Sequence, residues 1–436
     1  MRKVLIITYY FPPAGGAGVQ RTLKFVKYLR DSSWEPVVLT AQNADYPVRD
    51  ESLQQEVPVG VAVHRAPLFE PYKLYRRFTG KSIDQSTDMA TLSASPERQR
   101  RWSERISEFI RAGFFVPDAR IFWLWPAVAA GKNILARENI SLIFSSAPPY
   151  TTHLIAKKLA RSSGLPWVAD FRDSWIGWLS TPPWRPFWAA ALERRMEESV
   201  LREADRVLTV SSGVQQDLLG RHPHLAGERW LLLSNGFDAQ DFVGLSPATK
   251  SDRFTITYTG SMYGHRNPAP LLQALQGLPP STADQFLIRL VGRVDEDILA
   301  AIHASPVNRC FEHIPYVTHR QSLSYLLASD AALLIIDEAP ENRGIVTGKV
   351  FEYIGAGLPI LAIAGQGDAA DLICDHHLGQ VVSRSDLVGL QAALQRLLTV
   401  RSLAPRRSVA AEKFERRYLT EQLANIFNTM LAIKPR

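Results

Sequence analysis

Cysteine and long apolar runs are scarce in this sequence. Cys310 and Cys374 are the only two cysteines in 436 residues, and they lie far apart. The sequence therefore indicates neither a disulfide framework nor a cysteine zinc site, and it fits a reducing cytoplasm. His376 and His377 have no partners at metal-ligand spacing, so no metal site is predicted. No apolar run approaches the roughly 18 residues that a transmembrane helix needs, and MRKVLIITYY is typical of a strand, not a signal peptide.

Positive charge is concentrated in one stretch of the chain. The net charge is +7, and between Arg65 and Arg111 ten basic residues accompany six acidic ones, a local excess of +4. Aromatic residues are interleaved there and continue into FFVPDARIFWLWP. This pattern is typical of nucleic-acid binding, of a membrane surface, or of a solvated helix packed on a core.

Short β-branched runs alternate with helical patterns, which predicts an α/β fold with parallel sheets. The candidate strands of the first half are KVLIITYY, EPVVLTA, VAVHRA, LIFSSA, WVADF and RVLTVS, and those of the second are FTITYTG, FLIRLVG, FEHIPYV, AALLIID, PILAI and GQVV. Two such series predict two Rossmann-like lobes, with a junction near the polar segment LSPATKSDR. We expect lobes at residues 1–240 and 241–410, and a helix within 411–436 that returns to the first lobe.

Glycines follow the first predicted strand. Gly15, Gly16 and Gly18 precede an amphipathic helix in PPAGGAGVQRTLKFV. Ligands of open α/β sheets bind beyond the carboxyl ends of the strands, and glycine lets a ligand approach the backbone there. The spacing is not the dinucleotide G-x-G-x-x-G fingerprint, and a purely structural turn is the alternative.

The loops after two later predicted strands also contain candidate site residues, most of them charged. Asp170, Arg172 and Asp173 lie in DFRDSW, and Gly260 and Arg266 lie in GSMYGHR. The first group is either a self-satisfied ion cluster or a set of residues facing a cleft. Its place at a strand end favours the cleft.

The segment IVTGKVFEYIGAGLPILAI carries a lysine and a glutamate on one helical face. Lys349 and Glu352 are three positions apart, directly behind the turn that ends with Gly348. A helix N-terminus with a lysine in its first turn suits a phosphate group, and the glutamate can accept hydrogen bonds from ribose hydroxyls. The alternative is an exposed Lys–Glu pair that stabilises the helix by a few tenths of a kcal/mol.

Taken in order, these motifs resemble the family 4 glycosyltransferases, retaining enzymes of the GT-B fold in which two Rossmann-like lobes face each other across a cleft. The likeness extends over nearly the whole chain and includes SSAPP, DFRDSW, ADRVLTVS, SNGFD, YTGSMYGHRNP and GKVFEYIGAGLPIL. It is greatest for the bacterial branch that builds surface polysaccharides, in which an Arg-Asp pair replaces a histidine of other members.

The resemblance implies roles for individual residues. Arg266 stands where the family has a diphosphate-binding lysine, and Glu352 stands on the second conserved glutamate, which holds the nucleotide ribose. Lys349 and Gly348 are then further diphosphate-binding candidates. The sequence departs from the family at Gly344, eight positions before Glu352, where the family has the glutamate that touches the transferred sugar, and at Ser261, which replaces a common arginine.

The resemblance also implies an activity. The expected enzyme is a hexosyltransferase-type glycosyltransferase that moves a sugar from a nucleotide-diphosphate sugar to a polysaccharide or lipid-linked glycan, with retention, no cofactor and no required metal. Asp170, Arg172 and Asp173 are expected on the acceptor side, and no nucleophile is assigned. A sugar-nucleotide 2-epimerase of the same fold and a basic binding protein are the alternatives, and no nucleic-acid partner is expected.

The stretch 65–125 is a candidate membrane contact. Its basic residues suit anionic headgroups, and Phe114, Phe115, Phe122, Trp123 and Trp125 are candidates to reach the interface. The alternative is that these aromatic residues belong to the core. The hypothesis places a cytoplasmic enzyme on the inner membrane face, acting on a polyprenyl-diphosphate-linked acceptor.

Overall fold

The computed structural model describes residues 1–46, 48–68, 113, 115–176, 185–264, 266–339, 342–400 and 409–433. The chain divides into unit 1, Met1–Ser234 with Leu419–Arg436, and unit 2, Asn235–Tyr418. Most of the basic stretch, including Arg98, Arg100, Arg101 and Phe114, lies outside the described residues. Among the residues that are described, no helix is long and apolar enough to cross a membrane.

Unit 1 is built on a seven-stranded sheet of order β3-β2-β1-β4-β5-β6-β7. Neighbouring strands are parallel throughout. The strands are β1 (Arg2–Ile7), β2 (Trp34–Gln42), β3 (Ala62–Pro67), β4 (Ile140–Ala147), β5 (Trp167–Phe171), β6 (Arg206–Thr209) and β7 (Trp230–Leu232). The strand order reverses direction between β1 and β4, which is where ligands bind in sheets of this type. β7 was not among the strands predicted from the sequence, which ended with RVLTVS in the first half of the chain.

Within the described residues of unit 1, five helices lie between these strands, in keeping with the crossover connections of a parallel sheet. They are α1 (Ala17–Tyr28), α2 (Leu124–Arg137), α3 (Thr151–Ser163), α4 (Phe187–Glu203) and α5 (Ser212–Arg221). The middle strands are apolar and buried on both faces, as strands covered by helices on both sides must be.

Unit 2 repeats the same topology with six strands in the order β10-β9-β8-β11-β12-β13, again all parallel. Its strands are β8 (Phe254–Thr259), β9 (Phe286–Val291), β10 (Phe311–Ile314), β11 (Ala331–Ile335), β12 (Ile360–Ile363) and β13 (Gly379–Val382). Its helices are α6 (Ala269–Gln276), α7 (Pro280–Ala283), α8 (Glu296–His303), α9 (His319–Leu327), α10 (Gly348–Gly355), α11 (Asp368–Asp375) and α12 (Leu387–Val400).

The last helix, α13 (Arg416–Ile433), returns to unit 1 as the sequence predicted. Phe427 is fully buried there, with its ring 5.2 Å from that of Trp34 and 5.9 Å from that of Phe144. Unit 1 is therefore completed by residues from both ends of the chain.

Candidate functional site

The glycine-rich loop of unit 1 lies between β1 and α1. Gly15 donates its N–H to the carbonyl of Val48 over 2.8 Å. Gly16 precedes α1 with φ of +79°, a conformation that favours glycine. A Cβ on Gly16 would meet no atom within 4 Å, so the backbone at the start of α1 is open to an incoming group.

Asp170 is buried at the end of β5 and is paired with Arg21 of α1. Arg21 Nη2 donates to Asp170 Oδ1 over 2.7 Å, and its Nε donates to Oδ2 over 3.0 Å. Ser146 Oγ donates to the same carboxylate over 2.7 Å. The guanidinium also donates to the carbonyls of Leu233 and Ser234. Arg21 and Asp170 are 1% and 0% exposed, so this pair ties α1 and the ends of β4, β5 and β7 together without facing solvent.

Arg172 forms hydrogen bonds with both the glycine-rich loop and the SSAPP loop of unit 1. Its guanidinium donates to the carbonyls of Gly18, Ala147 and Pro148. The side chain is half-buried, and a Cβ on Gly18 would lie 3.7 Å from Arg172 Nη1. One arginine thus fixes the glycine-rich loop and the SSAPP loop relative to each other at the carboxyl end of the sheet.

Asp173 is exposed beside this framework, and its main chain is held in place. Tyr150 Oη donates to the carbonyls of Asp173 and Ser174 over 3.3 Å and 2.6 Å. The ring of Tyr150 stacks on that of Trp175 at 4.7 Å. Of the two carboxylates in this motif, Asp173 is therefore the one with exposed surface, although its neighbours desolvate the carboxyl enough to raise its pKa, and the charge of Arg172 opposes that shift.

Lys349 lies in the first turn of α10, directly after Gly348. Its Nζ donates to Tyr258 Oη over 2.6 Å and lies 3.8 Å from the centre of the same ring. Burial lowers the pKa of Lys349 to about 7, with a further decrease from the nearby charge of Arg266 and an opposing increase from Glu352. The charge of Arg266 therefore acts on Lys349 at the carboxyl end of the unit 2 sheet, and an anion bound beside the lysine would favour its charged form.

Gly260, at the end of β8, makes room for this lysine. It has φ of +97°, and a Cβ there would lie 2.8 Å from Lys349 Cε. Behind it, a Cβ on Gly292 would lie 2.4 Å from the carbonyl oxygen of Gly260. The two strand ends can approach each other, and the lysine can cross them, only because both positions are glycine.

Glu352, one turn after Lys349, is paired with a histidine. Its Oε1 lies 3.0 Å from Nε2 of His319, the first residue of α9, and the two side chains are 29% and 32% exposed. The guanidinium of Arg266 lies 5.7 Å from the ring centre of Tyr263. Gly344 is buried eight positions before Glu352 and offers no carboxylate.

Three functional candidates were missed by sequence reasoning: Arg21, Tyr258 and His319. Each lies far along the chain from its partner, 149 residues for Arg21 and Asp170, 91 for Tyr258 and Lys349, and 33 for His319 and Glu352. The α1 pattern did contain one signal, because Arg21 falls among buried positions of an amphipathic helix.

Comparison with known proteins identifies the fold. Anabaena HepE in complex with UDP superposes with a TM-score of 0.62 at 13% identity, covering 98% of this chain and 100% of HepE. WaaG, a glycosyltransferase involved in lipopolysaccharide biosynthesis, gives 0.55 at 16% identity, with 98% and 99% coverage. A putative UDP-N-acetylglucosamine 2-epimerase from Listeria monocytogenes gives 0.54 at 10% identity, with 100% and 98% coverage. These likenesses confirm the predicted GT-B fold.

A search of curated proteins finds no match to the sequence. The family described as a glycosyl transferase 4-like domain matches residues 15–236, which is more than half of the chain and includes the glycine-rich loop, SSAPP and DFRDSW. The chain therefore belongs to the glycosyl transferase 4-like family and is a glycosyltransferase.

Proposed function

We propose that the protein transfers a sugar, with retention of anomeric configuration, from a nucleotide-diphosphate sugar to a polysaccharide or lipid-linked glycan. The observation that carries the donor assignment is the cluster of Lys349, Arg266 and the start of α10 at the carboxyl ends of the unit 2 strands. HepE, which shares the fold, was crystallised with UDP and with UDP-glucose.

Lys349 and Arg266 bind the diphosphate in this proposal. Negative charge grows on the diphosphate as the bond to the sugar breaks, so preorganised cations stabilise the transition state more than the ground state. The N–H groups at the start of α10, beginning with Gly348, add the positive end of the helix dipole. Gly260 matters because it lets the lysine reach this position.

Glu352 accepts hydrogen bonds from the ribose hydroxyls in the proposed complex. A carboxylate is a stronger acceptor than an amide, and His319 Nε2 at 3.0 Å holds its Oε1 in position. Because Gly344 has no side chain, the contacts to the transferred sugar come from other groups than in most of the family.

The acceptor side is assigned to unit 1. Arg172 and Asp170 position the strand-end loops, and Asp173 is the exposed carboxylate that meets the acceptor. In retention without a protein nucleophile, the acceptor hydroxyl attacks on the face that the diphosphate leaves. The proposal requires no metal, and it places the enzyme in the cytoplasm, at the inner face of the membrane.

A thermal-shift panel of nucleotides and nucleotide sugars tests the donor assignment, because a ligand that binds only the folded state raises the unfolding temperature. We expect stabilisation by one nucleoside diphosphate and its sugars, weakened in Glu352→Gln and unchanged in the exposed control Glu228→Gln. Equal affinity in Glu352→Gln and wild type contradicts the ribose assignment. NMR of the glycoside product, compared with the donor, then reports whether the anomeric configuration is retained, and epimerised donor formed without acceptor would favour the epimerase.

A further inference from the structure

Unit 1 exposes large apolar side chains on α4 and at the start of α2. Phe187 is 87% exposed and Trp125 is 66% exposed. Phe122 and Trp188 are also exposed, and we name these four side chains the aromatic surface; Leu192, on α4, is exposed as well. Large apolar side chains that are exposed as a group mark an interaction site more often than chance exposure.

Only part of this surface is predicted by the sequence. Trp123 is fully buried and belongs to the core, and Phe115 is half-buried. Phe122 and Trp125 do reach solvent. The contribution of α4 was not foreseen, because Phe187 and Trp188 follow a loop far along the chain from the basic stretch.

Contacts connect the members of the aromatic surface. The indole of Trp188 lies against Gly113, where an added Cβ would be 3.2 Å from the ring. Two residues further along the chain, the ring of Phe115 lies 5.9 Å from that of Phe122. Trp125 follows Phe122 by three positions, about one helical turn. The exposed aromatics of α2 and α4 therefore form one region of unit 1.

Cations lie on the helices that carry this surface and on the neighbouring α3. The ammonium of Lys158 on α3 lies 4.5 Å from the ring centre of Trp125. Lys132 on α2 and Arg194 and Arg195 on α4 are exposed. Neither α2 nor α3 contains an acidic residue. Glu193, the acidic residue nearest the start of α4, is buried beside Arg185.

We propose that the aromatic surface docks this protein on an anionic lipid bilayer. Tryptophan and phenylalanine insert at the level of the headgroups, and nearby lysine and arginine side chains are attracted to anionic lipid. α3 begins directly after β4, at the carboxyl edge of the sheet where Arg172 and Asp173 also lie. Asp118, six residues before α2, accepts hydrogen bonds from Thr151 at the start of α3, so the segment that leads into α2 lies at this edge too. A docked protein would thus present its acceptor-side residues near the membrane.

The observations favour lipid over two other occupants. Two copies of this surface would bring like charges together, which disfavours self-association. RNA binding needs aromatic ring faces for stacking, and Lys158 already covers one face of Trp125. Phe187, Trp188 and Leu192 at the start of α4 are exposed apolar side chains that can insert into lipid instead.

Vesicle co-sedimentation of the full chain tests the inference. Vesicles of phosphatidylcholine alone are compared with vesicles containing an equal part of phosphatidylglycerol, at low and high salt. We expect binding to the anionic vesicles only, weakened by salt, and reduced at least about tenfold in Trp125→Ser/Phe187→Ser. Arg194→Glu/Arg195→Glu should reduce binding by a similar factor.

Matched controls separate docking from misfolding. Val388→Ser/Tyr316→Ser removes side chains of similar exposure from unit 2, and Arg396→Glu reverses an exposed charge on α12. Both should bind vesicles like wild type. Circular dichroism and the unfolding temperature should be unchanged in the aromatic variant, because its two side chains are mostly in solvent.

Several outcomes would overturn the inference. The first is no vesicle binding by the wild type at low salt. The second is binding by the aromatic variant that equals that of the wild type. The third is a dimer or an RNA complex that the aromatic substitutions abolish, in a protein that does not bind vesicles. This inference names the surface of the peripheral contact proposed above, and its test uses no sugar substrate. Nucleotide affinity measured on the same samples tells a failure of docking from a failure of the proposed glycosyltransferase site.

Discussion

The protonation state of Lys349 depends on the groups around its ammonium and on whether an anion is bound there. The ammonium donates to the hydroxyl of Tyr258 and contacts its ring. The charge of Arg266 disfavours the protonated lysine, and the charge of Glu352, one turn away, favours it. Burial in this setting brings its pKa to about 7, so the free protein holds the lysine partly deprotonated near neutral pH. A bound diphosphate favours the charged form and raises that pKa again.

Donor affinity should therefore weaken as the pH rises above about 7. Below that pH the lysine is charged before and after binding, so no proton is taken up and the affinity is flat. Above it, binding requires proton uptake, and the affinity falls by up to about tenfold per pH unit until the pKa of the complex is reached. Calorimetric titration with a nucleotide-diphosphate sugar, whose phosphates keep a constant charge, measures this. In Lys349→Arg the pH dependence should disappear, and a flat wild-type profile would refute the assignment.

The DFRDSW motif contains two aspartates with different expected effects. Asp170→Ala leaves the buried guanidinium of Arg21 without its carboxylate, which should cost about 3–5 kcal/mol of the free energy of unfolding. Asp173→Ala changes an exposed side chain and should cost less than about 0.5 kcal/mol while lowering transferase activity. Urea unfolding of both variants decides between these roles. Equal stability of the two would show that Asp170 is not a structural anchor.

At the scale of elements, the ends of β8 and β9 and the start of α10 together position the side chain of Lys349. Gly260 has φ of +97° and lies under Lys349, whereas Gly264, four residues later, has φ of +56° and no atom within 4 Å of an added Cβ. The two glycines share the backbone requirement but differ in what a side chain would meet. They therefore offer a matched pair.

Gly260→Ala should weaken donor binding more than Gly264→Ala. Both substitutions pay the strain of a positive φ, about 1–3 kcal/mol of stability. Only the first pushes Lys349 aside, because its methyl group would lie 2.8 Å from Lys349 Cε. Comparing nucleotide affinity in the two variants isolates the displacement of the lysine. If both lose affinity equally, backbone strain alone accounts for the effect.

The sequence predicted the elements better than the contacts between them. Alternating strand and helix patterns gave two parallel sheets and the returning helix, because periodicity is a local signal. The partners of Asp170, Lys349 and Glu352 were invisible, because Arg21, Tyr258 and His319 are brought to them only by the fold. The three-residue β7 was missed because a short apolar run next to a junction carries little periodicity.

At the scale of the whole molecule, unit 1 is discontinuous in sequence. Residues after Leu419 leave unit 2 and fill the core beside β1, β2 and β4. Trp34 Nε1 also donates to Asn428 Oδ1 over 3.2 Å. The two ends of the chain are therefore needed for one core, while the proposed donor site lies wholly within unit 2.

A substitution in the last helix should for this reason destabilise unit 1 without weakening donor binding. Phe427→Ala removes a fully buried ring packed on Trp34 and Phe144, which should cost about 3–5 kcal/mol. Tyr418→Ala, at a 43% exposed position of the same helix, should cost less than about 0.5 kcal/mol. Urea unfolding measures the loss in the free energy of unfolding, and hydrogen exchange of the amides in β1 and β4 shows whether unit 1 is the part that is destabilised. Titration of the folded variant with nucleotide measures the affinity of the donor site. Lower nucleotide affinity in folded Phe427→Ala would show that the donor site depends on the core of unit 1.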